Sequence, residues 1–208
     1  MISSANLSQN YWSKANKWFI NTYKNSWLEE VIHAPVKLRE NIAVTTAGLV
    51  EAKTLLDLGC GPSRVLAKAL IEAKVQSAVG MDFSEFMLEE SSKYLSQLNL
   101  TNRVILRNVD LLEINDYPET DICFALGLFD YIKEAKLIVS KAHISSKYLV
   151  CSWPAKNPRN FLRRFRYSCP IYTYDKEDIL KLFDSIGVRN VRLIPAGGYS
   201  GYITISYN

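Results

Sequence analysis

The sequence predicts a Rossmann-like three-layer α/β/α sandwich: a mainly parallel seven-stranded sheet with an antiparallel C-terminal strand and an N-terminal helical cover. Three observations support this. From Lys53 onward, short apolar runs alternate with stretches of helical periodicity, as in a parallel sheet clothed on both faces. The first apolar run ends in Gly59-Cys60-Gly61, a turn that lets backbone approach a ligand at the carboxyl edge of such a sheet. The last two apolar runs flank the glycines Gly197, Gly198 and Gly201 and so close as a strand pair.

The elements follow in order. Residues 1–50 read as helices, with Tyr11, Trp12, Trp18, Phe19, Tyr23 and Trp27 forming an aromatic face. Pro35 separates two of them, because the residue before a proline avoids helical geometry. Strands are expected at 54–58, 76–81, 103–108, 121–126, 148–152, 188–194 and 202–207. Helices are expected at 64–73, 84–97, 134–142 and 178–186. Ser84 caps the second of these, with Met87 and Leu88 on its buried side, and Gly187 stops the last. The whole chain, 1–208, is expected to be one domain. Its parts are a helical cover at 1–50, a core at 53–208 and a basic insertion at about 154–174.

Composition agrees with an ordinary globular α/β protein: 208 residues, 48% hydrophobic and 22% charged. No apolar run approaches the roughly 20 residues of a membrane span. The first residues lack the pattern of a secretory signal, so a cytoplasmic protein is expected. Cys60, Cys123, Cys151 and Cys169 are scattered, without metal-ligand spacing, and read as reduced structural thiols; no metal site is expected. Much of the +4 net charge comes from the stretch between Lys156 and Arg166.

Acidic residues end three successive strands: Asp57, Asp82 and Asp110. A carboxylate at Asp57, just before the glycine turn, would repel a pyrophosphate but suits a cationic ligand. Asp82 stands where this fold places an acid against ribose hydroxyls. Asp110 can accept from an exocyclic amine. A nicotinamide dinucleotide fits poorly, because Arg64 stands where its fingerprint wants a third glycine.

The stretches Leu55-Leu56-Asp57-Leu58-Gly59-Cys60-Gly61-Pro62-Ser63, 79–88 and 121–132, together with Asp110, resemble the class I S-adenosylmethionine-dependent methyltransferase family. The resemblance runs from Lys53 to the C-terminus and implies S-adenosylmethionine as cofactor. By that resemblance Asp57, Gly59, Cys60 and Gly61 line the methionine end, Asp82 the ribose and Asp110 the adenine. Phe83 and Met87 flank the adenine, and Leu111 and Ala125 complete the cofactor site. Ser63 departs from the pattern, since the family often has glycine there. The aromatic N-terminal helices and the Gly-Tyr-rich closing turn are similar to the magnesium-protoporphyrin methyltransferase group, whose substrate is not carried over.

On the acceptor side, Asp130, Tyr131 and His33 are candidate catalytic bases, and Tyr11, Tyr23, Arg163, Arg164 and Tyr199 candidate substrate contacts. Bland alternatives stand beside each. Asp130 could cap the next helix, Tyr131 could pack on the sheet, and the aromatic face could be plain core or a lid that excludes water. His143 is explained by the dipole at a helix C-terminus. The basic stretch reads as a solvated helix or as a grip on an anionic acceptor, with RNA and an anionic membrane surface less favoured. The expected activity is methyl transfer to a small, preferably anionic molecule, most readily at oxygen. Alternatives are an RNA or protein methyltransferase, or a non-catalytic binder of the cofactor.

Overall fold

Leu55 and Leu56 are neighbours in the chain, both fully buried, and point into two different cores. That alternation makes the sheet the middle layer of three. The computed structural model describes residues 11–12, 34–158, 160, 169–196 and 201–208.

Among these residues the strands are β1 (Thr54–Leu58), β2 (Ser77–Asp82), β3 (Val104–Asn108), β4 (Thr120–Ala125), β5 (Ser146–Pro154), β6 (Val191–Pro195) and β7 (Gly201–Tyr207). The helices are α1 (Ala34–Leu49), α2 (Arg64–Glu72), α3 (Glu85–Gln97), α4 (Ala135–Ser145) and α5 (Lys176–Asp184). The sheet order is β3-β2-β1-β4-β5-β7-β6. β1 to β5 pair in parallel, and β7 alone runs against its neighbours β5 and β6. The chain reverses its strand order between β1 and β4, the place where such sheets bind ligands.

Ala43, Val44 and Ala47 of α1 pack with Leu66, Ala69 and Leu70 of α2 and Leu95 of α3 on one face. Ile138, Val139 and Ala142 of α4 and Ile179 and Phe183 of α5 cover the other. Ser84 caps α3 by accepting from the Met87 N–H at 3.3 Å. Asp175 and Asp178 form a reciprocal capping box at the start of α5. Gly187 closes that helix in the left-handed conformation, as its sequence position suggests.

Several element ends differ from expectation, each for a tertiary reason. β5 extends to Pro154 because it pairs with β7 along its length, through Trp153 opposite Tyr202 and Pro154 opposite Gly201. The Trp153 indole N–H donates to Thr204 Oγ1 at 2.9 Å. Arg103 does not open β3. It lies in a short 3-10 turn and donates to the carbonyls of Leu70, Val75 and Gln76, tying α2 to the entry of β2. Residues 188–190 form a loop after α5 rather than the start of β6. All four cysteines are buried, and no described helix is long and apolar enough to cross a membrane.

Candidate functional site

The loop after β1 is clamped onto the end of β2. The Gly59 and Cys60 N–H groups both donate to the Met81 carbonyl, at 2.8 and 3.1 Å. The Gly61 N–H donates to Asp82 Oδ2 at 2.9 Å, and the Ser84 N–H to Asp82 Oδ1 at 2.9 Å. Asp82 is therefore both the acid at the strand end and the anchor of the glycine turn. Each of its oxygens keeps a free lone pair that could accept from a hydroxyl. Burial pushes its carboxyl above the usual range against the pull of those backbone N–H groups.

Ser63, the departure from glycine, has a local structural support. It adopts the left-handed conformation, φ 54° and ψ 30°, just before α2, and is fully buried. Glycine is common at such a position because a side chain there costs roughly 1–2 kcal/mol. Here the side chain is held by Ser91 of α3, whose hydroxyl donates to Ser63 Oγ.

Asp57 lies on the α1 face of β1, with only 4% of its surface exposed. No hydrogen bond reaches its carboxyl among the described residues. Burial, then the charge of Asp82, then that of Glu40 push it up to about 7. Burying an uncompensated carboxylate is costly, and a cation placed against it recovers that cost. The group therefore fits the cationic end of S-adenosylmethionine. Glu40, reaching in from α1, is likewise raised by burial.

The remaining cofactor-side residues divide. Asp110 follows β3, half-buried, and its Oδ1 accepts from the Leu112 N–H at 2.9 Å. Phe83 and Met87 lie at the start of α3, with Met87 buried. Leu111 and Ala125 have their side chains in the α4–α5 core, which leaves only backbone for a ligand. The Cys60 thiol turns inward against Gly80, and burial pushes it well up, so its thiolate is not accessible.

At the end of β4, Leu128 approaches Gly59 so closely that a Cβ on the glycine would lie 2.8 Å from Leu128 Cδ1. The Gly127 N–H donates to Ser152 Oγ of β5 at 2.7 Å. Phe129 stacks on Trp153, centroids 4.4 Å apart, and belongs to the core. Asp130 is buried, and its carbonyl accepts from the Tyr172 N–H at 2.9 Å. It does not cap the next helix, as it was free to do: Glu134 holds that position, without a side-chain cap. The Tyr131 ring meets Trp12 edge-on at 4.9 Å, and Trp12 in turn meets Tyr11 at 5.2 Å. The Trp12 carbonyl accepts from Ser84 Oγ at 3.3 Å, so this N-terminal piece bridges the ends of β2 and β4.

The basic insertion is pinned at both ends. Ala155 pairs with Tyr174, and the Tyr174 N–H donates to the Pro154 carbonyl at 2.8 Å. Lys156 bonds Asp175 and Asp178, each at 2.6 Å, so its charge is already matched. His143 lies in the last turn of α4, and its carbonyl accepts from Asn208 near the start of β5, at the opposite edge of the sheet. It stands at the helix end where the dipole favours a cation, and burial pulls its imidazole below its usual range. His33, Tyr23, Arg163, Arg164 and Tyr199 lie outside the described residues.

Two side chains escape notice in the sequence: Arg39 and Glu40, both on α1. Nothing in the periodicity of α1 marks them, because an isolated charged pair on a helix reads as solvated surface.

Residues 55–145 match the family model described as a methyltransferase domain. A comparison with curated proteins found no matching sequence. Among solved structures, the chain is similar to magnesium protoporphyrin IX methyltransferase from Synechocystis PCC 6803 with bound SAM, at 16% identity and TM-score 0.78, covering 100% of this chain and 98% of that one. It is also similar to the methyltransferase domain of bacterial CtHen1, at 18% identity and TM-score 0.68, covering 84% and 100%. An O-methyltransferase family 2 protein from Planctomyces limnophilus in complex with apigenin aligns at 15% identity and TM-score 0.63, covering 74% and 50%. Residues 55–145 thus carry a methyltransferase domain, with a buried acid and glycine turn at the reversal point of a sheet that has the fold of these S-adenosylmethionine-binding methyltransferase structures.

Proposed function

We propose that this protein transfers the methyl group of S-adenosylmethionine to an oxygen of a small anionic molecule. The observation that carries the proposal is the bridge made by Trp12. It holds Ser84 at the β2 end and Tyr131 at the β4 end, roofing the edge over which an acceptor must enter. A roofed site favours a small acceptor over a folded RNA or protein.

In this reading Asp57 faces the cationic methionine end, Asp82 takes the ribose hydroxyls and Asp110 the adenine amine, with Phe83 and Met87 beside the ring. The cofactor brings a methyl group already activated for displacement, so the chain needs mainly to align the acceptor and exclude water. Trp12 and Tyr131 supply the exclusion, and Asp130, Tyr131 or His33 takes the proton where the acceptor is a hydroxyl. The preference for oxygen draws support from structural neighbours named for magnesium protoporphyrin IX methylation and for O-methylation. Arg163 and Arg164 supply the positive charge for an anionic acceptor, since Lys156 is engaged elsewhere.

The test uses cofactor carrying a deuterated methyl group, offered with separate panels of small carboxylic acids and phenols, with total RNA and with protein. Mass spectrometry should find the label as an ester or ether in a small-molecule product. Label confined to RNA or protein would overturn the proposal. Tight cofactor binding with no label anywhere would favour a non-catalytic binder.

A further inference from the structure

The guanidinium of Arg39 lies directly on Gly127 at the carboxyl end of β4. A Cβ at Gly127 would sit 2.8 Å from Arg39 Nη2 and 3.1 Å from Nη1. Gly127 has φ +72°, so both backbone and space reserve this position for glycine, and the room is taken by the arginine. Arg39 Nε is buried and has no hydrogen-bond partner among the described residues. No ion pair with Arg39 is formed among them. A buried guanidinium nitrogen left without an acceptor is costly, and the planar fork of the half-buried arginine matches a carboxylate.

The surroundings say which carboxylate. The acids Asp110, Asp82 and Asp57 end β3, β2 and β1, and the next strand across the sheet is β4, where Gly127 and Arg39 lie. Leu128, the residue after Gly127, touches Gly59, two residues beyond Asp57. A cofactor laid along that path with adenine over β3 brings its amino acid to the β1–β4 boundary. That amino acid is a zwitterion. Asp57 presents a buried acid without a hydrogen bond for its ammonium, and Arg39 a guanidinium whose buried Nε lacks an acceptor for its carboxylate.

We infer that Arg39, supplied by α1 rather than by the sheet, anchors the methionine carboxylate of S-adenosylmethionine against Gly127. The helical cover is thereby part of the cofactor site. The inference rests on the cofactor and not on the acceptor proposed above.

Decarboxylated S-adenosylmethionine lacks only the group in question. Calorimetric titration of both compounds into wild type, Arg39→Gln and Arg39→Lys isolates the interaction, with thermal melting as a check on folding. Wild type should prefer S-adenosylmethionine by tenfold or more. Arg39→Gln should bind the two alike, and Arg39→Lys should keep a reduced preference, because an ammonium carries the charge without the fork. A preference in Arg39→Gln equal to that of wild type would overturn the inference. So would a wild type that binds the two compounds equally. If Arg39→Gln fails to fold, an undiminished preference in Arg39→Lys overturns it instead. Failure of wild type to bind either compound would be a different result, removing the cofactor assignment itself.

Discussion

Ser91 on α3 donates its hydroxyl to Ser63 at 2.5 Å, fastening a serine that stands in left-handed conformation at the turn into α2. Two opposing energies meet at Ser63. Its backbone conformation costs roughly 1–2 kcal/mol, and its buried hydrogen bond returns about 1 kcal/mol. Ser63→Gly relieves the first and loses the second, and should change stability by less than about 1 kcal/mol. Ser63→Ala keeps the strain and strands the Ser91 hydroxyl, and should cost about 1–3 kcal/mol. Thermal melting of the two variants side by side checks the order: alanine clearly below glycine.

Asp57 should make cofactor binding depend on pH. Its carboxyl is held near 7 in the folded, ligand-free protein, against 3.8 for an ordinary aspartate. Between those values the folded chain carries a proton that the unfolded chain has lost. The ligand-free protein therefore loses stability as pH rises from about 4 to 7. A cationic ligand needs the ionised form, so affinity should rise by up to about tenfold per pH unit below 7 and level off above it. Asp57→Asn should flatten both dependences and weaken binding at pH 8. Calorimetry at pH 5.5, 6.5 and 8 decides, and an unchanged slope in the variant would refute the assignment.

Asp82 holds two backbone N–H groups besides facing the cofactor edge. Asp82→Ala should weaken S-adenosylhomocysteine binding by tenfold or more, about 1.4 kcal/mol. It should also lower the melting temperature, because two donors lose their acceptor. Asp82→Asn keeps one acceptor and should melt higher than Asp82→Ala while still binding poorly. The pair of measurements separates loop support from ligand contact.

At the opposite edge of the sheet, Asp121 shows the reverse titration. Its carboxylate accepts from Lys147 Nζ at 2.7 Å and from the Lys53 and Thr54 N–H groups at 2.9 and 3.0 Å. Those bonds, led by Lys147, draw it down to about 2 from 3.8. The unfolded chain takes up its proton first, so this contribution is complete above about pH 4 and is lost as pH falls through 2. Asp121→Asn should melt several degrees below wild type at pH 7, and the gap should close by pH 2.

Much of this protein could be read before it was folded. The alternation of apolar runs places every strand of the sheet within a few residues, because burial on two faces imposes a local pattern. Asp57, Gly59, Gly61 and Asp82 could be placed at the carboxyl edge of the sheet because strand ends are visible in the chain. Tertiary structure alone decided the relationships that cross the fold. Arg39 over Gly127, Trp12 against Tyr131 and Ser91 beneath Ser63 each join residues far apart in the chain, whose types carry no mark of their partner. Lys156 is the instructive converse, a basic residue in a basic stretch whose charge is spent on the capping box of α5. Charge and periodicity are properties of a segment, whereas compensation of a buried charge is a property of the space around it.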